Sequence, residues 1–142
     1  MDRKATAVWH GDLKAGKGSI STQSNTLKDA QYSFKTRFED GVGTNPEELI
    51  AAAHAGCFTM ALSGQLGAAG LTAESLETTA SVKLEKVEGG FAITAIHLVT
   101  KAKIPGATEE AFNTAAQNAK TGCPISKLFK ENAEITLDAK LV

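Results

Sequence analysis

Cysteine is scarce in this chain: Cys57 and Cys123 are the only two among 142 residues. That excludes the disulfide framework of a small secreted domain and any zinc site built on three or four thiolates. The three histidines, His10, His54 and His97, lie far apart and complete no zinc spacing with the two cysteines. No metal is expected. An excess of one charge is missing too. Fifteen basic residues stand against sixteen acidic ones, interspersed along the chain, for a net charge of −1. Neither nucleic acid nor an anionic membrane surface is an expected partner. The N-terminal MDRKATAVWHGD holds no apolar run, so no secretory signal is expected. Residues 45–70 are long enough to cross a bilayer, but they contain Glu47, Glu48, His54 and Gln65 and are mostly alanine and glycine. A transmembrane reading is rejected. The expected location is the cytoplasm, where two cysteines in a small protein read as reactive thiols rather than a permanent staple.

What the chain does have is the stretch NPEELIAAAHAGCFTMALSGQLGAAG at 45–70. Asn45 is a good N-cap, Pro46 suits the first helical position and Glu48 stands at the capping-box position, with Glu47 beside it in the first turn. Gly70 fits the closing C′ position. Small side chains on all sides let other backbones approach and suit a buried central helix. The length implies a single domain over residues 1–142.

Around that helix the pattern predicts short strands at 4–9 and 18–22, joined by a glycine-rich turn at 11–18 that lacks the Walker spacing. Alternation of Tyr32, Phe34, Thr36 and Phe38 predicts a strand over 31–39. Strands over 75–88 and 91–103 follow, linked by a Gly89-Gly90 turn, the second strand apolar on both faces around 91–99. Thr108 caps a helix that ends at Gly122. Cys123-Pro124 opens a short helix to about Lys130, and 133–141 alternate as a last strand. Strand blocks interrupted by helices without βαβ regularity predict an α+β fold with antiparallel sheets packed around the central helix.

Taken by itself, Cys57 reads equally well as a small core residue or a reactive thiol. Cys123, at a helix start, faces unpaired N–H groups that would lower a thiol pKa. A buried reactive thiolate needs a fixed cation, and a fixed cation needs an acid to hold it. Arg37 and Glu47 are candidates because a guanidinium can bond a carboxylate with one edge and a sulfur with another. Glu47 and Cys57 are ten residues apart, about 15 Å on one straight helix. So either the helix breaks near residues 53–56, or Glu47 serves the Cys57 of a second subunit. Ser63, in S-G-Q, sits in no nucleophile elbow.

TNPEELIAAAHAGCFTMALS around Cys57 and GCPISKLFK around Cys123 together closely resemble the OsmC/Ohr family of thiol-dependent hydroperoxide reductases. The resemblance runs from VWHGDLKAGKGSIST to EITLDAKL. It is nearer the OsmC branch. The turn GDLKAGKG carries no arginine, where the Ohr branch is expected to have one, while FKTRFE carries Arg37. The resemblance implies Cys57 as peroxidatic cysteine, Cys123 as resolving cysteine, Arg37 as the site arginine and Glu47 as its anchor. It also implies an intertwined OsmC-like homodimer with sites at the subunit interface, a role in oxidative or osmotic stress defence, no prosthetic cofactor, and an external dithiol, lipoyl-type among others, as reductant. Organic hydroperoxides, and less efficiently hydrogen peroxide, would be the substrates. Phe58, Met60, Ile125, Leu128 and Phe129 are candidates to receive an alkyl chain. The rival reading is a non-enzymatic redox-sensing or binding module with a reversible disulfide.

Overall fold

The computed structural model describes residues 1–142. The chain divides into two units, residues 1–49 and 50–142.

In the first unit, β1 (Ala5–His10), β2 (Lys17–Thr22) and β3 (Ala30–Tyr32) form an antiparallel sheet in that order. Gly18 pairs with both Trp9 and Tyr32. A Cβ there would stand 2.4 Å from the Tyr32 ring and 2.7 Å from Trp9, so only glycine lets the two rings close to 5.5 Å.

The strand expected over 31–39 stops at Tyr32, and Phe34–Phe38 form a short helix, α1. Ser33 and Thr36 build a reciprocal capping box there. The Ser33 hydroxyl accepts from the Thr36 amide, and Thr36 Oγ1 accepts from the Ser33 amide. Phe34 and Phe38 satisfy a period of two, but at i and i+4 they also share one helical face, and their rings lie 4.9 Å apart. The capping chemistry decides between the two periods.

Helix α2 (Pro46–Ala68) is unbroken and links the two units. Asn45 Oδ1 accepts from the Glu48 amide at 2.7 Å, as an N-cap should. The Glu48 carboxylate does not return to the cap; it accepts from the Thr44 hydroxyl at 2.8 Å. Gly70, at φ +75°, closes a Schellman motif in which the Leu71 amide donates to Leu66 O and the Gly70 amide to Gly67 O.

In the second unit, β4 (Ser75–Val87) and β5 (Gly90–Lys103) form a long antiparallel hairpin. Val87 pairs with Gly90, so the tip is Glu88-Gly89, one residue earlier than the sequence pattern predicts. Helices α3 (Glu109–Gly122) and α4 (Pro124–Phe129) then lead to β6 (Glu134–Leu141), which pairs with β5 in parallel. The expectation of purely antiparallel sheets is corrected here. The two-helix crossover is long enough to return the chain to the other end of the sheet, as a tight turn is not.

The core joins Phe58, Leu62 and Leu66 of α2 to Ile96, Leu98 and Ala102 of β5 and to Phe112, Ala115, Ala116 and Ala119 of α3. Beyond residue 95 one face of β5 is buried, and Val99 on the other is 37% exposed, so the strand is covered on one side only. Helix α2 is likewise half covered. Met60 is 79% exposed, and nothing stands near Gly56, Gly64 or Gly67. The expected burial on all sides is not supplied by this chain. By length and composition α2 passes the test for a membrane span, a test that core helices also pass. Of its polar side chains turned inward, His54 bonds through Nε2, the half-buried Thr59 through its hydroxyl, and Glu47 through Oε1, all within the protein.

Candidate active site

Each unit carries one half of the expected chemistry. In the first, Arg37 lies on α1 and Glu47 in the first turn of α2. Arg37 Nε donates to Glu47 Oε1 at 2.9 Å, and Nη2 lies 2.9 Å from the same oxygen. Glu47 is buried, with its charge at the positive end of α2. The guanidinium also lies 5.3 Å from the centre of the Phe38 ring. Asn45 strengthens the frame from its side-chain amide, which donates to Thr36 O at 3.0 Å. The Nε donor is thus fixed on the acid with Nη2 close beside it, and the side chain stays 41% exposed.

Beside Arg37 the first unit holds a cavity of about 290 Å³, lined by Trp9, Leu13, Tyr32, Ser33, Phe34 and Phe38 as well as Arg37 itself. The sequence pattern marks Tyr32, Phe34 and Phe38 only as one apolar face of a strand; the turn into α1 folds them into a cup.

In the second unit, Cys57 and Cys123 are free thiols whose sulfurs lie 2.7 Å apart, with Cys123 Sγ donating to Cys57 Sγ. Sixty-six residues separate them in sequence. Cys123 is the N-cap of α4, with Pro124 at N1, as the sequence indicates, but its sulfur makes no capping bond. It is fully buried and turned to Cys57 instead. The backbone amide of Ile125, in the first turn of α4, favours the ionised form of Cys57 rather than of Cys123. Burial pushes the Cys57 thiol up from its ordinary value, Cys123 adds to the rise and the Ile125 amide opposes it. The second unit by itself therefore does not ionise Cys57.

The sequence pattern gives His54 no metal-ligand spacing and singles out nothing at Ser126. The structure joins them, His54 Nε2 to Ser126 Oγ at 2.7 Å. Burial holds the imidazole pKa below its ordinary value. Of the expected alkyl acceptors, Phe58 is wholly buried in the core and closed to a substrate, while Phe129 is half-buried and packs against that core. Met60 and Leu128 are exposed, and Ile125 is half-buried.

The description "OsmC-like protein" fits residues 38–138 of the sequence. The chain belongs to the OsmC-like family. The matched span takes in Glu47, Cys57 and Cys123 and stops one residue short of Arg37. Among OsmC-like relatives, the chain is 54% identical to "Peroxiredoxin OsmC" of Escherichia coli K12, over 99% of this chain and 97% of that one. It is 28% identical to an "Organic hydroperoxide resistance protein" of Xanthomonas axonopodis pv. citri over 90% of each. The crystal structure of the organic hydroperoxide resistance protein OhrB of Bacillus subtilis superposes with a TM-score of 0.76 at 27% identity, covering 96% of this chain and 98% of that one. The α+β architecture is thus that of the OsmC/Ohr proteins.

Proposed function

We propose that this protein is a cysteine-based peroxidase that reduces organic hydroperoxides, and hydrogen peroxide less efficiently, to alcohols and water. The reading rests on one observation above all: two free thiols far apart in sequence, with their sulfurs 2.7 Å apart. The printed names of the relatives support the substrate class.

The Cys57 thiolate attacks the terminal peroxide oxygen. The O–O bond breaks, the alkoxide leaves and takes a proton, and Cys57 becomes a sulfenic acid. The Cys123 thiolate attacks that sulfur, an S–S bond forms, and hydroxide departs as water after protonation. An external dithiol, such as a lipoyl-type group, then exchanges with the disulfide, taking the oxidation on itself and returning both thiols. No prosthetic cofactor enters.

Arg37 holds Cys57 ionised and balances charge on the leaving oxygen, and Glu47 keeps Arg37 in place. Helix α2 has no break, and along an unbroken helix ten residues span about 15 Å. We therefore assign Arg37 and Glu47 of one subunit to the Cys57 of another. The uncovered face of α2 at Gly56, Met60 and Gly64 supports a homodimer. Both units then act as one functional domain in the cytoplasm.

The rival is a redox-sensing module, whose two adjacent thiols would close a disulfide without turnover. Steady-state consumption of cumene hydroperoxide with dihydrolipoamide separates the two. The peroxidase turns over many equivalents, and the sensor stops after one.

A further inference from the structure

One thiol lies on α2 and the other caps α4, and a buried side-chain contact joins the two helices one turn from the sulfurs. His54 precedes Cys57 by three residues, and Ser126 follows Cys123 by three. Their Nε2 and Oγ atoms are 2.7 Å apart, and both residues are buried, His54 completely. Phe129, one turn further along α4, packs against the imidazole with ring centres 6.4 Å apart. Nδ1 of His54 is buried without a partner, so Ser126 provides the imidazole's one hydrogen bond. An apolar pair of similar volume would fill this space at no loss of stability. What a buried polar pair adds is direction, because it is satisfied at only one offset between the helices.

We propose that His54 and Ser126 are positioning residues, forming a clamp that holds the start of α4 against α2 and keeps Cys123 Sγ in range of Cys57 Sγ. The role rests on the reading above that Cys123 closes a disulfide with Cys57. Neither residue takes part in the bond changes. The clamp raises the effective concentration of one sulfur at the other. By reciprocity, closing the disulfide tightens the clamp by the same factor.

The test uses no peroxide. Parent, Ser126→Ala and the double variant His54→Leu/Ser126→Ala are equilibrated with mixtures of oxidised and reduced dithiothreitol. Closing the protein disulfide transfers two electrons and two protons to oxidised dithiothreitol, which becomes the dithiol. The closed fraction is read by alkylation and mass. Ser126→Ala strands both imidazole nitrogens and should lower the closure constant about tenfold. The double variant leaves no polar orphan, should melt within a few degrees of the parent, and should still lose about tenfold. It alone decides the matter if Ser126→Ala does not fold. A purely structural bond would instead lower the melting temperature of Ser126→Ala, leave the closure constant unchanged, and be fully repaired in the double variant. An unchanged constant in the double variant overturns the clamp, while normal peroxide turnover in the parent would leave the peroxidase reading standing. A tenfold loss in a protein whose parent fails to consume hydroperoxide would uphold the clamp and retire the peroxidase.

Discussion

Arg37 directs both Nε and Nη2 to a single oxygen of Glu47, each at 2.9 Å, while the second carboxylate oxygen, Oε2, is buried without a partner. The grip fixes the plane of the guanidinium and leaves its outer donors for another anion. A lysine cannot reproduce it, because an ammonium group has no edge to spare.

Arg37→Ala should lower kcat/KM for cumene hydroperoxide by about a hundredfold or more, the scale of losing one preorganised charge donor. Stability should fall by about 1–3 kcal/mol, since the arginine is partly exposed but its loss leaves the buried Glu47 carboxylate unpaired. Stopped-flow kinetics beside a melting curve measures both. A rate within a factor of two of the parent would return Arg37 to the surface.

The two cysteines should separate cleanly. Cys57→Ser abolishes hydroperoxide consumption. Cys123→Ser still performs one turnover and leaves a sulfenic acid that a dimedone-type probe traps. Failure of the Cys123→Ser protein to consume one equivalent would mean that Cys57 is not the attacking thiol.

Within its own subunit the half-buried Cys57 thiol has a folded pKa raised above its ordinary value of 9.0. The folded state then binds its proton more tightly than the unfolded chain, so the stabilisation is complete below about pH 9 and is lost as pH rises through the folded value. In Arg37→Ala, which lacks the cation assigned to Cys57, the reduced protein should lose melting temperature as pH rises above about 9 more steeply than Arg37→Ala/Cys57→Ser, which has no thiol to titrate there. Parallel curves for the two proteins would show that Cys57 is not held protonated by burial.

The aromatic cup beside Arg37 should set preference among hydroperoxides. Phe34→Ala opens its lining, and KM for cumene hydroperoxide should rise about tenfold, the order expected when a pocket loses a large apolar contact. Activity on hydrogen peroxide, which has no apolar group, should stay within about twofold. Equal losses on both substrates would place the cup outside the substrate path.

Local signals in the sequence carried the parts of the fold that are local. The Asn45 cap, the Gly70 closure and the Thr108 cap each depend on residues within one turn, and each stands where the pattern predicts. Residues 34–38 misled because Phe34 and Phe38 satisfy both periods, and only the Ser33–Thr36 box distinguishes them. The parallel direction of β6 is set by the length of a crossover rather than by any residue in the strand. Cys57 and Cys123 could be singled out because so few thiols compete with them. His54 and Ser126 could not, because they meet across 72 residues and neither has a local pattern that points to the other.

The most direct measurement is intact mass after one equivalent of cumene hydroperoxide, followed by peptide mapping. The account predicts the loss of two hydrogens and a Cys57–Cys123 crosslink. An unchanged mass, or oxygen added to Cys57 with Cys123 still free to alkylate, would contradict it.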